Sequence, residues 1–241
     1  MAAAKSFLKL VYDHKTVLVR DMDVFRTLRD FLRNNGYRTV YETDRVGEAK
    51  TAMATFACLN PVLGERLAVV HGISTTDEVA HPQAPFVYGF GPSGSKDAAT
   101  YIQHLALRTT DILKLRSYLE DKGAHFLTPT YQDKDSFGPL LQCFTRELFD
   151  DEWFFIEFVQ RDYDADKVRD REGVQFVDRT VRSLYGAKQE EFREWLRTKR
   201  KRKFLDGMSP ADAKKVLDEI VKNIEPKGYA KLVPPLARAV S

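Results

Sequence analysis

Apolar and polar positions along this chain switch between strand and helix periods, and the order of the switches repeats. Tyr12-Asp13-His14-Lys15-Thr16-Val17-Leu18-Val19 is a short β-rich run. Over 21–34, Val24, Phe25, Leu28, Phe31 and Leu32 recur at helical spacing, and Asn35-Gly36 closes the stretch with a helix C-terminal signal. A second run, Tyr101-Ile102-Gln103-His104-Leu105-Ala106-Leu107, leads into a helical stretch from Asp111. There Ile112, Leu115, Tyr118 and Leu119 share one face, and Gly123 ends it. Phe25, Leu28, Leu32 and Gly36 match Ile112, Leu115, Leu119 and Gly123 at a constant offset of 87 (112 − 25). His14 and His104 lie 90 apart (104 − 14), which predicts three extra residues between strand and helix in the first copy. Such self-similarity marks one supersecondary unit used twice.

Further strands are predicted at 39–43, 52–58 and 67–71 after the first helix, and at 124–128, 138–145 and 153–160 after the second. Between the copies, 81–99 is rich in Pro, Gly and Ser and reads as a long connection. Past Asp162 the pattern turns helical, over 172–185, 188–204 and 210–224, with Ser209-Pro210 as N-cap and first helical residue. Pro234-Pro235 carries no element signal. The predicted architecture is α+β: a βαβββ module over 1–80, a connecting segment over 81–100, a second βαβββ module over 101–162 and a helical C-terminal extension over 163–241.

Composition narrows the function classes. Apolar residues make up 43% of the 241, enough for a sizeable core. With 38 Lys and Arg against 35 Asp and Glu, the net charge of +3 comes from a nearly balanced surface, which gives no reason to expect a nucleic-acid partner. The basic run Lys199-Arg200-Lys201-Arg202-Lys203 reads as a solvated helix face. Cys58 and Cys143 match no metal or redox spacing, so both are expected reduced and at least partly buried. Residues 1–10 hold no secretory apolar stretch, and no run approaches the roughly 18 apolar residues of a membrane span. A soluble cytoplasmic protein without a membrane partner is expected.

The candidate chemistry lies at the repeated histidines. His14 and His104 occupy the first strand of each copy, and a pseudo-twofold arrangement of the copies brings both into one groove. Glu157 lies in Trp153-Phe154-Phe155-Ile156-Glu157-Phe158-Val159, where burying a carboxylate is costly unless it is paired or bound to metal. Two imidazoles and one carboxylate on one face leave three open positions on Fe(II), and catalytic zinc accepts the same ligand types. Against this stand structural histidines and a Glu157 on a solvent-facing edge. His71, His81 and His125 match no repeat position and read as structural or exposed.

Tyr101-Ile102-Gln103-His104-Leu105-Ala106-Leu107, Leu140-Leu141-Gln142-Cys143-Phe144-Thr145 and Phe155-Ile156-Glu157-Phe158-Val159-Gln160-Arg161 resemble signature stretches of 4-hydroxyphenylpyruvate dioxygenase, of the vicinal oxygen chelate superfamily. Tyr12-Asp13-His14, Val46-Gly47 and Thr128-Pro129-Thr130-Tyr131 are similar to the family in order and spacing, and the likeness covers about residues 12–162. It implies two βαβββ modules of the glyoxalase/dioxygenase type, Fe(II) at His14, His104 and Glu157, and a 2-oxo acid that chelates the metal and is decarboxylated with O2. It implies Gln142 and Phe144 in the substrate pocket, and strand alternation puts these two on one face. Gln103 matches a pocket residue, but a regular strand points it away from His104, so a bulge is required. Thr55 falls where the family carries a hydroxyl, and Gln175-Phe176 stands for the amide–aromatic pair of its closing helix. Near Ile73 and Phe86 the family's other amide contacts have no counterpart, and its N-terminal domain has none either. The expected partners are a 2-oxo acid and O2, and a homodimer is compatible with this reading. Two rivals use the same scaffold: an extradiol ring-cleaving dioxygenase, which needs a further acid–base histidine, and a metal-free small-molecule binding protein.

Overall fold

The computed structural model describes residues 6–90, 96–164, 167–168 and 170–226. β1 (Leu10–Val19), α1 (Met22–Asn34), β2 (Arg38–Gly47), β3 (Ala52–Leu59) and β4 (Arg66–Ile73) form the first module. A 3-10 turn (His81–Gln83) and the short α2 (Ala84–Tyr88) follow. β5 (Thr100–Arg108), α3 (Ile112–Asp121), β6 (Tyr131–Lys134), β7 (Pro139–Phe144) and β8 (Phe155–Arg161) form the second. Within each module the first strand pairs in parallel with the last, and β1 joins β5 antiparallel, giving the order β2-β3-β4-β1-β5-β8-β7-β6. The architecture is α+β, as the repeat predicts.

Both module helices start on the same device. Asp21 accepts from the Val24 N–H at 2.8 Å and Asp111 from the Lys114 N–H at 3.0 Å. These caps are 90 apart (111 − 21), the spacing of the histidines. The three extra residues of the first copy therefore lengthen α1 to 13 residues against 10 in α3 and do not enlarge the strand–helix turn, a correction to the sequence reading. Both helices end on glycines in the left-handed region, Gly36 at φ 81° and Gly123 at φ 95°.

Alternation sorts each strand between two faces. Ala54, Phe56 and Cys58 of β3 pack with Phe25 and Leu32 of α1, while Met53 and Thr55 face a groove on the other side. Leu105, Leu107, Ile156 and Phe158 pack against α3 and against α5 (Pro210–Lys222), which Ser209 caps through the Asp212 N–H. Cys58 and Cys143 are buried and free.

Three elements depart from the sequence reading. The strand expected at 124–128 is only a bridge, Phe126 to Thr145, and β6 forms instead at Tyr131–Lys134. The Thr128 hydroxyl takes the Phe144 N–H and Pro129 has no N–H to offer, so the ladder is interrupted there. The two helices expected over 172–185 and 188–204 are one, α4 (Asp178–Thr198). Its buried face, including Thr180, Tyr185, Lys188 and Phe192, runs straight through the region of Gly186, whose helix penalty is only about 1 kcal/mol. The basic run is not a helix face: α4 ends at Thr198, Lys201 donates to the Phe149 and Glu152 carbonyls, and Lys203 pairs with Asp150. The final part of the C-terminal extension, with Pro234-Pro235, lies outside the described residues. No helix among the described residues is long and apolar enough to cross a membrane.

Candidate metal centre

Two β-bulges set the site. In β1, Tyr12 pairs with Leu107 and His14 with Ala106, so Asp13 is the additional residue. The bulge leaves Tyr12 on the α3 side and turns His14 and Thr16 into the groove. In β5, Thr16 pairs with His104 and Val17 with Ile102, so Gln103 is the additional residue. This is the irregularity that Gln103 required: it is buried and lines the groove beside His104.

His14, His104 and Glu157 converge on one point. Glu157 Oε2 lies 3.3 Å from His14 Nε2 and 3.4 Å from His104 Nε2, and all three residues are buried. They form a group able to hold a metal ion, with ligand atoms within 4.8 Å of one another. Adjacent ligands at roughly 2.1 Å from a metal stand about 3 Å apart, so the donor set fits with little rearrangement. Each donor but one is held from behind. His14 Nδ1 donates to Asp13 Oδ2 at 3.2 Å, and Asp13 is held by Arg161, which also pairs with Asp135 at 2.8 Å. Gln142 Nε2 donates to Glu157 Oε1 at 2.7 Å. His104 Nε2 lies 2.9 Å from Thr16 Oγ1, and its Nδ1 has no hydrogen-bond partner.

The charges are distributed unequally. Burial works against a charged His14, but the Glu157 carboxylate and Asp13 overcome it and raise its pKa to about 9. Burial pushes Glu157 up, and the two histidines pull it down to about 2. Burial holds His104 below its ordinary value against the attraction of Glu157. Without a metal the trio is therefore a His14 imidazolium, a neutral His104 and a carboxylate.

The groove spans about 570 Å³ with its open mouth included, and its walls are mainly apolar. Thr55, Gln142 and Phe144 line it as expected, and so does Phe176, whose ring lies 4.9 Å from that of His14. The Gln175-Phe176 pair is not on a closing helix. It is in an extended segment ahead of α4, where the Gln175 N–H donates to Val40 O and its Oε1 accepts from Arg66 at 2.8 Å. Gln175 therefore serves the wall, and only Phe176 faces the groove.

Sequence reasoning missed Asp13, Arg161 and Thr16 behind the histidines and several residues of the groove wall. Thr180 and Tyr185 of α4 roof the groove, and His81, expected to be structural or exposed, is buried in its lining. His81 belongs to neither repeat, so periodicity offered no signal for it. His71 donates to no groove and instead receives a hydrogen bond from Gln83, and His125 lies near Asp206 at the surface.

No protein-family profile and no curated protein sequence matches the chain. Among solved structures, a three-site variant of 4-hydroxymandelate synthase from Streptomyces coelicolor superposes with a TM-score of 0.60 at 20% identity, over 79% of this chain and 57% of that one. Methylmalonyl-CoA epimerase from Mycobacterium tuberculosis gives 0.43 at 17% identity, over 68% of this chain and 94% of that one. A fusion of a xylose isomerase-like TIM barrel with 4-hydroxyphenylpyruvate dioxygenase gives 0.42 at 15%, over 64% and 26%. This chain has the vicinal oxygen chelate fold, and it spans 57% of the synthase chain.

Proposed function

We propose that this chain is a mononuclear non-haem Fe(II) dioxygenase acting on a 2-oxo acid. The observation that carries the reading is the convergence of His14 Nε2, His104 Nε2 and Glu157 Oε2 on one side of a largely apolar groove. Iron held by His14, His104 and Glu157 would supply the redox chemistry that joins decarboxylation of a 2-oxo acid to the reduction of O2. The chain's own residues bind and shield. Asp13 keeps the proton of His14 on Nδ1 and its Nε2 free to ligate, while Gln142 fixes the rotation of the Glu157 carboxylate. Phe144 and Phe176 exclude water from the reacting centre. The Gln103 amide nitrogen, the Thr55 hydroxyl and the Gln142 carbonyl oxygen are buried without partners among the described residues and can receive a polar substrate. The signature stretches resembling 4-hydroxyphenylpyruvate dioxygenase support the same ligand set.

The purified protein is expected to bind one Fe(II) per chain and to release CO2 from a 2-oxo acid in the presence of O2. Changing His14, His104 or Glu157 to Ala should remove most of the metal with the fold retained by circular dichroism. Full iron occupancy in a His14→Ala, His104→Ala double variant contradicts the ligand assignment.

One observation favours a second reading, extradiol cleavage of a catechol, for which a further histidine near the groove is needed. His81 meets that position requirement. Consumption of catechols without CO2 release from any 2-oxo acid selects it.

A further inference from the structure

His81 is fixed in place without using its ring nitrogens. Its backbone N–H donates to Gln189 Oε1 of α4 at 2.8 Å, and Gln189 Nε2 donates in turn to Val79 O at 3.2 Å. The imidazole packs on Tyr185 with ring centroids 5.0 Å apart. It is 3% exposed, lines the groove, and neither Nδ1 nor Nε2 has a hydrogen-bond partner among the described residues. A buried polar atom left unpaired carries an uncompensated desolvation cost, so this ring is expected to meet its partner in a bound molecule.

The chemistry of that partner follows from the ring and its surroundings. Burial, reinforced by the Lys188 ammonium, keeps His81 well below its ordinary pKa and hence neutral. A neutral imidazole presents one donor and one acceptor. A hydroxyl group can pair with whichever ring nitrogen faces it, whereas a carboxylate can only accept from the N–H and an ammonium can only donate to the other nitrogen. Among the described residues the groove lining contains no Lys, Arg or Asp, and its one carboxylate is Glu157. A second charge on the ligand would therefore lie unpaired among Met53, Val70, Leu184 and Tyr185.

We propose that His81 is a specificity-determining residue that hydrogen-bonds a hydroxyl group on the uncharged tail of the substrate. The inference rests on the 2-oxo acid reading, in which the opposite end of the same molecule is chelated at His14, His104 and Glu157. The imidazole reaches the groove from outside both modules, so the connecting segment supplies selectivity while the repeats supply the metal centre.

The test is anaerobic equilibrium binding to the full chain loaded with Fe(II). The probes are phenylpyruvate with its ring-monohydroxylated analogues, and 2-oxohexanoate with 6-hydroxy-2-oxohexanoate. In the unaltered protein at least one hydroxylated acid should bind about tenfold or more tightly than its parent. His81→Leu should erase that preference and leave the affinity for the parent acid and the iron content within about threefold, while His81→Asn should retain part of the preference. Equal affinity of hydroxylated and parent acids in the unaltered protein overturns the proposal, as does a preference that survives in both variants. If His81→Leu does not fold, His81→Asn decides alone: a preference identical to that of the unaltered protein refutes the role. If no 2-oxo acid binds while catechols do, the function reading itself fails and this inference with it, a result distinct from binding without hydroxyl preference.

Discussion

Asp13 is the residue on which the presentation of His14 depends. As the bulged residue of β1 it turns inward, accepts from His14 Nδ1 and is held by the fully buried Arg161. Asp13→Asn keeps the shape but weakens the charge-assisted bond and can reverse the preferred tautomer. It should lower Fe(II) affinity about 10–100-fold, measured by competition with a chelator, with little change in secondary structure. A second residue-scale consequence concerns pH. The metal-free His14 pKa, raised to about 9, leaves this side chain protonated at neutral pH, whereas a ligating imidazole must be neutral. Metal binding near pH 7 should thus expel about one proton, and affinity should rise about tenfold per unit between pH 6 and 8. Calorimetry in buffers of different ionisation heat reads that proton directly, and a value near zero contradicts the assigned charge state. The candidate ligands were legible because a repeated position and a carboxylate in an apolar strand are sequence patterns. Asp13, Arg161 and His81 were not, because their roles arise from a bulge and from packing between segments distant in sequence.

α4 is the element that closes the groove, and it is fastened by charge as well as by apolar contact. Lys188 is fully buried, pairs with Glu147 and lies 2.8 Å from Glu191, which accepts from Arg146 at 2.7 Å. Its ammonium also rests 4.8 Å from the centre of the Phe155 ring, which in turn packs on His104 at 4.7 Å. Lys188→Met leaves two carboxylates buried beside each other, with Arg146 on Glu191 and the more distant Lys201 as the remaining cations. Chemical denaturation should show a loss of about 3–5 kcal/mol, and a loss under 1 kcal/mol would contradict the buried pairing. The helical character of this region was plain in the sequence, but its single span was not. The expected gap between 185 and 188 is closed by the continuous buried face, and Gln175-Phe176 stays outside α4, where the Gln175 N–H bonds to Val40 O of β2. The displacement of β6 has the same kind of cause, a local bond at Thr128 that propensity does not report.

Across the whole molecule, two copies of one module meet through β1 and β5, and each contributes a histidine from its first strand. The third ligand comes from β8, the parallel partner of β5, where Ala106 lies opposite Glu157. The repeat was therefore enough to foresee the two-module sheet and the approach of His14 and His104 in one groove, since pseudo-symmetry converts equal positions in sequence into neighbours in space. It could not foresee what lies outside the repeats: the connection that carries His81 and the helix that roofs the groove. The division matters for the central claim, because the metal centre alone fits several chemistries on this fold, and the substrate is what separates them. The most direct measurement is an anaerobic titration of the Fe(II) protein with 2-oxo acids, followed by visible absorption. Bidentate binding at His14, His104 and Glu157 should produce a weak charge-transfer band that saturates at one acid per iron, bleaches on admission of O2 and is absent in Glu157→Ala. No band with any 2-oxo acid, together with a new absorption on adding catechols, would contradict the account.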